Sequence, residues 1–346
     1  MTPKIAIDLF SDTMTRPSPG MRRAIAEAEV GDEQRGEDPS VNLLQELVAD
    51  LLGKEAALFL PSGTMCNQIS FALHCRPGDE ILMDETAHPL NYEAGGPAAM
   101  ASALVRALRG ERGIFTAAQV VDAIRYPDRH NPRTRVISVE QTTNIAGGAC
   151  WTLETLTEVC ARGREAGLAL HLDGARLMNA VVAKGVAAAD YAAPFDSSWI
   201  DMSKGLGAPV GAVMAGTKEF IDEAWVLKQR FGGAMRQAGI IAAGGVYALR
   251  HNVDRLADDH TNAARLASGL AELPGIRLDA EMVETNIVMF ELPGEPSAEE
   301  FADRMLAEHG VRFSQIAPTQ LRAVTHLDVS AEDIDTAVDA ARRVLS

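Results

Sequence analysis

Residues Leu168–Arg176 read LALHLDGAR. An apolar run with one interleaved histidine has the pattern of a buried strand, and it closes on an aspartate, a glycine, an alanine and an arginine. A carboxylate at the tip of a buried strand is costly unless a cation meets it. Asp173 therefore requires a partner. Arg176, at the start of the next helix, is one candidate, and a bound positively charged group is another. The surrounding sequence repeats the arrangement. AALFLP (56–61) leads through SGT into a helix, EILMD (80–84) leads into HPLNYEAGG (88–96), and TRVISVE (134–140) precedes a helix over about 153–165. Strands alternating with helices predict a mainly parallel sheet covered on both faces, with ligands bound beyond the carboxyl ends of the strands. Ser62–Thr64, His88, Glu140 and Asp173 all fall at or just past such ends.

The rest of the 346-residue chain extends this α/β unit. Met1–Gly36 reads as an extended arm with one short helix near Met21–Glu29. Asp38 as cap, Pro39 in the first turn, an apolar stripe from Val41 to Leu51 and Gly53 as stop predict the next helix. SSWIDMSKGLGAPVGAVMAG (197–216) gives two strands joined by a glycine-rich loop. A long, continuous helical stretch covers about 237–273. After it, strands TNIVMFEL and LRAVTHLDV and two amphipathic helices predict a separate small α+β domain. The expected division is 1–249 for the arm and large domain and 250–346 for the small domain.

Composition narrows the function. Hydrophobic residues make up 47% and charged residues 23%, and the net charge of −16 disfavours binding to nucleic acid or an anionic membrane. No apolar run approaches the ~20 residues of a membrane helix, and the first residues lack the core of a signal peptide. Cys66, Cys75, Cys150 and Cys160 show no metal-type spacing and read as buried free thiols of a reducing cytoplasm. No metal site is expected.

Individually the polar residues are ambiguous. Lys204, between Ser203 and Gly205, is as readily a surface lysine in a turn as a desolvated, nucleophilic amine. Ser62-Gly63-Thr64 at a helix start suits a phosphate, yet it resembles any serine cap and is neither a Walker loop nor a dinucleotide fingerprint. His171 reads as a packed core residue. His130, in DRHNPRTR, is as readily a surface histidine as a base. Together, a phosphate-type helix start, a strand-end aspartate and a Ser-Lys 31 residues later occur in the order of a pyridoxal-phosphate enzyme.

At this point the sequence resembles the L-threonine aldolases of the aromatic amino acid β-eliminating lyase group. FSDTMTRPSPGM (10–21), the block from Gly36 to Asn67, AHPLNYEAGG (87–96), LHLDGARLMNAVVA (170–183), SKGLGAPVGAVMAG (203–216), GGAMRQAGI (232–240) and LRAVTHLDV (321–329) carry the likeness almost end to end. The resemblance implies the aspartate-aminotransferase-like architecture, fold type I, and pyridoxal 5'-phosphate as cofactor. It implies Lys204 as the Schiff-base lysine, Asp173 as partner of the pyridine nitrogen, and Gly63 and Thr64 at the phosphate. Arg236 would join the phosphate site across a subunit interface, and His88 would stack on the ring. Arg176 would reach the phenolic oxygen or the substrate carboxylate, with Ser11 and Arg322 completing the carboxylate site. His88 and His130 are the candidate bases. A homotetramer with a dimeric active unit is implied, which would explain an extended arm. The chain departs from the family pattern at Arg35, Thr143 and Gln229. The implied reaction cleaves threonine, allo-threonine or a related β-hydroxy-α-amino acid to glycine and an aldehyde. Its rivals are β-elimination on another amino acid and cofactor binding without turnover.

Overall fold

Twelve strands are present in a computed structural model that describes residues 4–346. In chain order they are β1 (Ile7–Asp8), β2 (Ala56–Leu60), β3 (Glu80–Asp84), β4 (Leu104–Leu108), β5 (Thr134–Glu140) and β6 (Ala169–Gly174). Then follow β7 (Ser197–Asp201), β8 (Ala212–Gly216), β9 (Ile287–Glu291), β10 (Val311–Arg312), β11 (Ser314–Ala317) and β12 (Gln320–Val324). Seven of them form one sheet in the order β2-β8-β7-β6-β5-β3-β4, in which only β8 runs against its neighbours. The carboxyl ends of β2, β3, β5, β6 and β7 therefore face the same way. β5 and β6 pair in a register that sets Glu140 directly beside Asp173. The alternation of strands and helices in the sequence predicts this mainly parallel layout.

Helix ends follow local chemistry. Asp38 accepts hydrogen bonds from the N–H groups of Ser40 and Val41, both at 3.1 Å, and starts the helix Pro39–Leu52. Gly53 ends it with φ +61°, a left-handed conformation that favours glycine. The expected helix over Leu153–Glu165 is present, capped by Thr152. The four cysteines are buried and free.

Three features differ from the sequence expectation. The early helix spans Pro19–Ala26, because Ser18 caps it and Pro19 supplies its first turn. The stretch 237–273 is two helices, Gly239–His251 and Leu256–Ala271. They part at Asn252, whose side chain donates to the Leu206 carbonyl at 2.7 Å and so ties the break to the Lys204 loop. Finally, the arm joins the C-terminal part, where β11, β12 and β9 form an antiparallel sheet and β1 and β10 a separate two-stranded one. β1 pairs with β10 in parallel, and Ile7 and Leu9 are buried in the apolar core formed by residues of the C-terminal part.

Candidate active site

The loop after β7 presents Lys204. Asp201, the last residue of β7, accepts at Oδ1 from the N–H and hydroxyl of Ser203, at 2.7 and 2.8 Å. Its other oxygen pairs with Lys204 Nζ at 2.7 Å. Gly207, at φ +78°, turns the loop back so that its N–H reaches the Lys204 carbonyl at 2.8 Å, and the Thr15 hydroxyl donates to that carbonyl at 3.1 Å. The lysine is thus held by its backbone and its tip.

Lys204 points into a cavity of about 630 Å³ beyond the carboxyl ends of the strands. Its wall includes Ser11, Gly63, Thr64, His88, Asp173, Arg176 and Arg322, seven of the residues singled out in the sequence. Ser62 caps the helix Gly63–His74 through a bond from the Met65 N–H. The first-turn N–H groups of Gly63 and Thr64 have no intrahelical acceptor. Gly63 can be nothing larger, since a Cβ there would sit 2.2 Å from the Trp199 ring.

Asp173 is almost fully buried. Its carboxylate accepts from Asn67 Nδ2 at 2.8 Å and from the Ala175 N–H at 3.0 Å. Burial raises its pKa above the usual carboxylate range, and the Asn67 hydrogen bond opposes the rise. Neighbouring Glu140 accepts from the Asn144 N–H at 3.2 Å, and burial and then the charge of Asp173 push it upward. Among the described residues, no arginine or lysine is bonded to Asp173. Arg176 instead donates to Asp12 through Nε at 2.8 Å and Nη2 at 2.7 Å. This resolves the first question of the sequence: the helix-start arginine answers a carboxylate from the arm, and Asp173 stays open towards the cavity.

Arg322, on β12, donates from Nη1 to Asn144 Oδ1 at 2.7 Å, and its buried Nε has no hydrogen-bond partner. Burial and the nearby Arg176 lower its pKa to about 10. His88 bonds through Nδ1 to Glu93 at 2.9 Å, which leaves Nε2 free to face the cavity. Glu93 is enclosed, with Asn67 and Gln68 as further donors. Two expected residues stand elsewhere. Arg236 is 67% exposed and paired with Asp32 at 3.2 Å. His130 is exposed on a turn before the amino end of β5, the end opposite Glu140. Neither lines the cavity of its own chain.

Sequence reasoning passed over Asn67, Glu93, Asn144 and Asp201. Asn67 had a usable signal, because Gly63 and Asn67 are four apart and share one helix face. Glu93 and Asp201 depend on contacts that no local pattern announces.

The model of the Beta-eliminating lyase family matches residues 8–293. The low specificity L-threonine aldolase of Escherichia coli (strain K12) is 42% identical over 330 residues, 95% of this chain and 96% of that one. The low-specificity L-threonine aldolase 1 of Arabidopsis thaliana is 37% identical over 334 residues, 95% and 93% of the two chains. In structure, the Leishmania major threonine aldolase superposes with a TM-score of 0.84 at 22% identity, covering 98% of this chain and 100% of that chain, a likeness that speaks to the fold. With a matched family model across most of its length and relatives this similar, the chain belongs to the β-eliminating lyase family, among the threonine aldolases.

Proposed function

We propose that this protein is a pyridoxal-phosphate-dependent aldehyde-lyase that cleaves L-threonine, L-allo-threonine or a related β-hydroxy-α-amino acid to glycine and an aldehyde. The cavity suits the cofactor by the chemistry of its groups. It offers a primary amine at Lys204, free N–H groups and a hydroxyl at the Gly63–Thr64 helix start for a phosphate, and a buried carboxylate at Asp173 without a cation. The cofactor, when bound, supplies an electron sink for the bond broken at Cα.

The observation that carries the reading is Arg322, which lines the cavity that Lys204 enters while its buried Nε has no hydrogen-bond partner among the described residues. A cofactor store needs no such donor, whereas an amino acid substrate brings the carboxylate that it fits. In this reading Arg322 and Ser11 grip the α-carboxylate and turn the Cα–Cβ bond to the angle at which it breaks. Arg176, fixed by Asp12, keeps Nη1 for an oxygen of cofactor or substrate. His88 Nε2 takes the proton of the β-hydroxyl, and Glu93 holds its Nδ1. Asp173 keeps a proton on the ring nitrogen. One proton leaves the hydroxyl and one is delivered at Cα, so glycine and the aldehyde together balance the substrate.

Arg236 serves, on this proposal, across a subunit boundary, at the phosphate of a partner within a tetramer built from dimers, and His130, exposed and away from the cavity, yields the role of base to His88. No helix among the described residues is long and apolar enough to cross a membrane. The four free thiols suit a reducing cytoplasm, where we place the enzyme. The test is a product assay on threonine, allo-threonine, phenylserine and hydroxyaspartate in both enantiomers. Glycine with an aldehyde is expected. Pyruvate with ammonia would establish β-elimination instead, and no product from any of them would sink the reading.

A further inference from the structure

Behind Asp173, side chains of β6, β7 and the helix Gly63–His74 form a file between the sheet and that helix, buried from Asn67 to Ser197 and half-buried at His74. Asn67 Nδ2 meets Asp173 Oδ2 at 2.8 Å, and Asn67 Oδ1 meets His171 Nε2 at 2.9 Å. His171 Nδ1 meets Ser197 Oγ at 2.8 Å, and Ser197 Oγ meets His74 Nε2 at 2.9 Å. His171 is fully buried, as the sequence suggests, yet both of its ring nitrogens are bonded.

Trp199 fixes the direction of every bond in the file. Its Nε1 lies 2.8 Å from Asn67 Oδ1, and an indole nitrogen can only donate, so this atom is the amide oxygen. The Asn67 amino group then faces two carboxylates, Asp173 and Glu93, both at 2.8 Å. The second lone pair of Oδ1 faces His171 Nε2, which must carry a hydrogen. Burial drives the pKa of His171 down to about 3, so the ring is neutral and Nδ1 accepts the hydroxyl hydrogen of Ser197. A hydroxyl has one hydrogen, so His74 Nε2 donates to Ser197. His74 is also neutral, its pKa lowered to about 4 by burial. Every hydrogen points towards Asp173, and the Asn67 amide has all four of its bonds. Aligned donors polarise one another and strengthen the last link. A proton on Asp173 would face the Asn67 amino group and the Ala175 N–H, both donors, so the surroundings oppose the tendency of burial to neutralise the carboxylate.

We propose that His171 is a positioning residue for the cofactor site, acting through Asn67 to hold the Asp173 carboxylate charged and aimed at a protonated ring nitrogen, with Ser197 and His74 completing the aligned file. The inference rests on the reading of Asp173 as the ring-nitrogen partner. His171 itself does not line the cavity. Its content is that the strength of the Asp173 contact is set by a histidine two residues earlier on β6.

Two measurements test it. Nitrogen NMR of protein labelled with ¹⁵N-histidine should find His171 with its hydrogen on Nε2 and a bare Nδ1, both with and without pyridoxal phosphate. A hydrogen on Nδ1 would overturn the direction of the file. Titration of the apoprotein with pyridoxal phosphate should show His171→Phe binding about tenfold more weakly. His171→Gln, whose amide nitrogen stands near the place of Nε2, should recover most of that loss. In an Asp173→Asn background, His171→Phe should add no further loss, because the effect runs through the carboxylate. Equal losses in both backgrounds, or none in either, overturn the proposal while leaving Asp173 in its role. Unchanged cofactor affinity and turnover in Asp173→Asn alone would remove the reading of Asp173, and this proposal with it. Should His171→Phe fail to fold, the NMR result and His171→Gln decide.

Discussion

Arg176 and Asp12 meet through two parallel hydrogen bonds in the interior, although 164 residues separate them in the chain. Asn286 adds a third donor to Asp12 at 3.1 Å. Burial pushes the Asp12 carboxyl up, but Arg176 outweighs it and holds the group at about 2. The pair joins the arm to the large sheet and fixes the guanidinium beside the cavity.

Removing one member of such a pair strands a buried charge. Asp12→Ala is expected to lower stability by about 3–5 kcal/mol, read by urea unfolding. The folded-state pKa of Asp12 is depressed, so its contribution is complete above about pH 4 and fades as pH falls through about 2. The stability gap between wild type and Asp12→Asn should therefore narrow on acidification. A gap that widens in acid would contradict the assignment.

Borohydride reduction of the holoenzyme should attach pyridoxal phosphate to Lys204. Peptide mapping provides the check, and two other lysines serve as internal controls. Lys184 pairs with Glu284 at 2.7 Å, and Lys228 is sealed against Glu33 at 2.8 Å, neither of them lining the cavity. An adduct on Lys184 or Lys228 refutes the assignment of Lys204.

Arg322→Ala should reduce kcat/KM by roughly ten- to a hundredfold, the scale of a lost charged hydrogen bond of about 1.5–3 kcal/mol. Cofactor affinity should stay as in wild type, and Arg322→Lys should recover only part of the loss, since a point charge replaces a fork. Steady-state kinetics with a cofactor titration on each variant decides it. An Arg322→Ala enzyme with wild-type kinetics would show that another group grips the carboxylate.

His88→Phe keeps an aromatic face but lacks the base. A fall in kcat of about 10²–10⁴ is expected. Glu93→Gln leaves an oxygen at His88 Nδ1 without its charge and should cost less. If His88→Phe turns over threonine at close to the normal rate, the β-hydroxyl proton goes elsewhere.

The alternating elements were legible because their signals are local: apolar runs, a cap such as Asp38 and a stop such as Gly53. Lys204, Gly63, Thr64 and Asp173 were legible because each sits at a strand end or a helix start. Asn67, Glu93 and Asp201 were not, since Asn67 meets partners 26 to 132 residues away and Glu93 and Asp201 act through turns that only folding creates. The partner of Arg176 was hidden for the same reason. A nearby carboxylate in sequence, Asp173, competed with a distant one, and only the packed arm discriminates between them. The break at Asn252 illustrates a further limit. Its helix propensity is unremarkable, and the loop it ties lies in another part of the chain.

The arm's place against the C-terminal strands has one more consequence. Beyond β1, the Val324 N–H donates to the Leu9 carbonyl at 2.9 Å. Leu9 lies two residues before Ser11, and Val324 two residues after Arg322. The separation of the two groups proposed to grip the carboxylate is thus gauged by main-chain rungs, which repacking of side chains does not stretch. Ser11 and Arg322 form a caliper whose two jaws share one hinge pin, so any motion of those strands carries both together. Ser11→Gly would remove one jaw and leave Lys204, Asp173 and Gly63 where they are. Such a protein would be expected to load cofactor and yet lose its grip on amino acids.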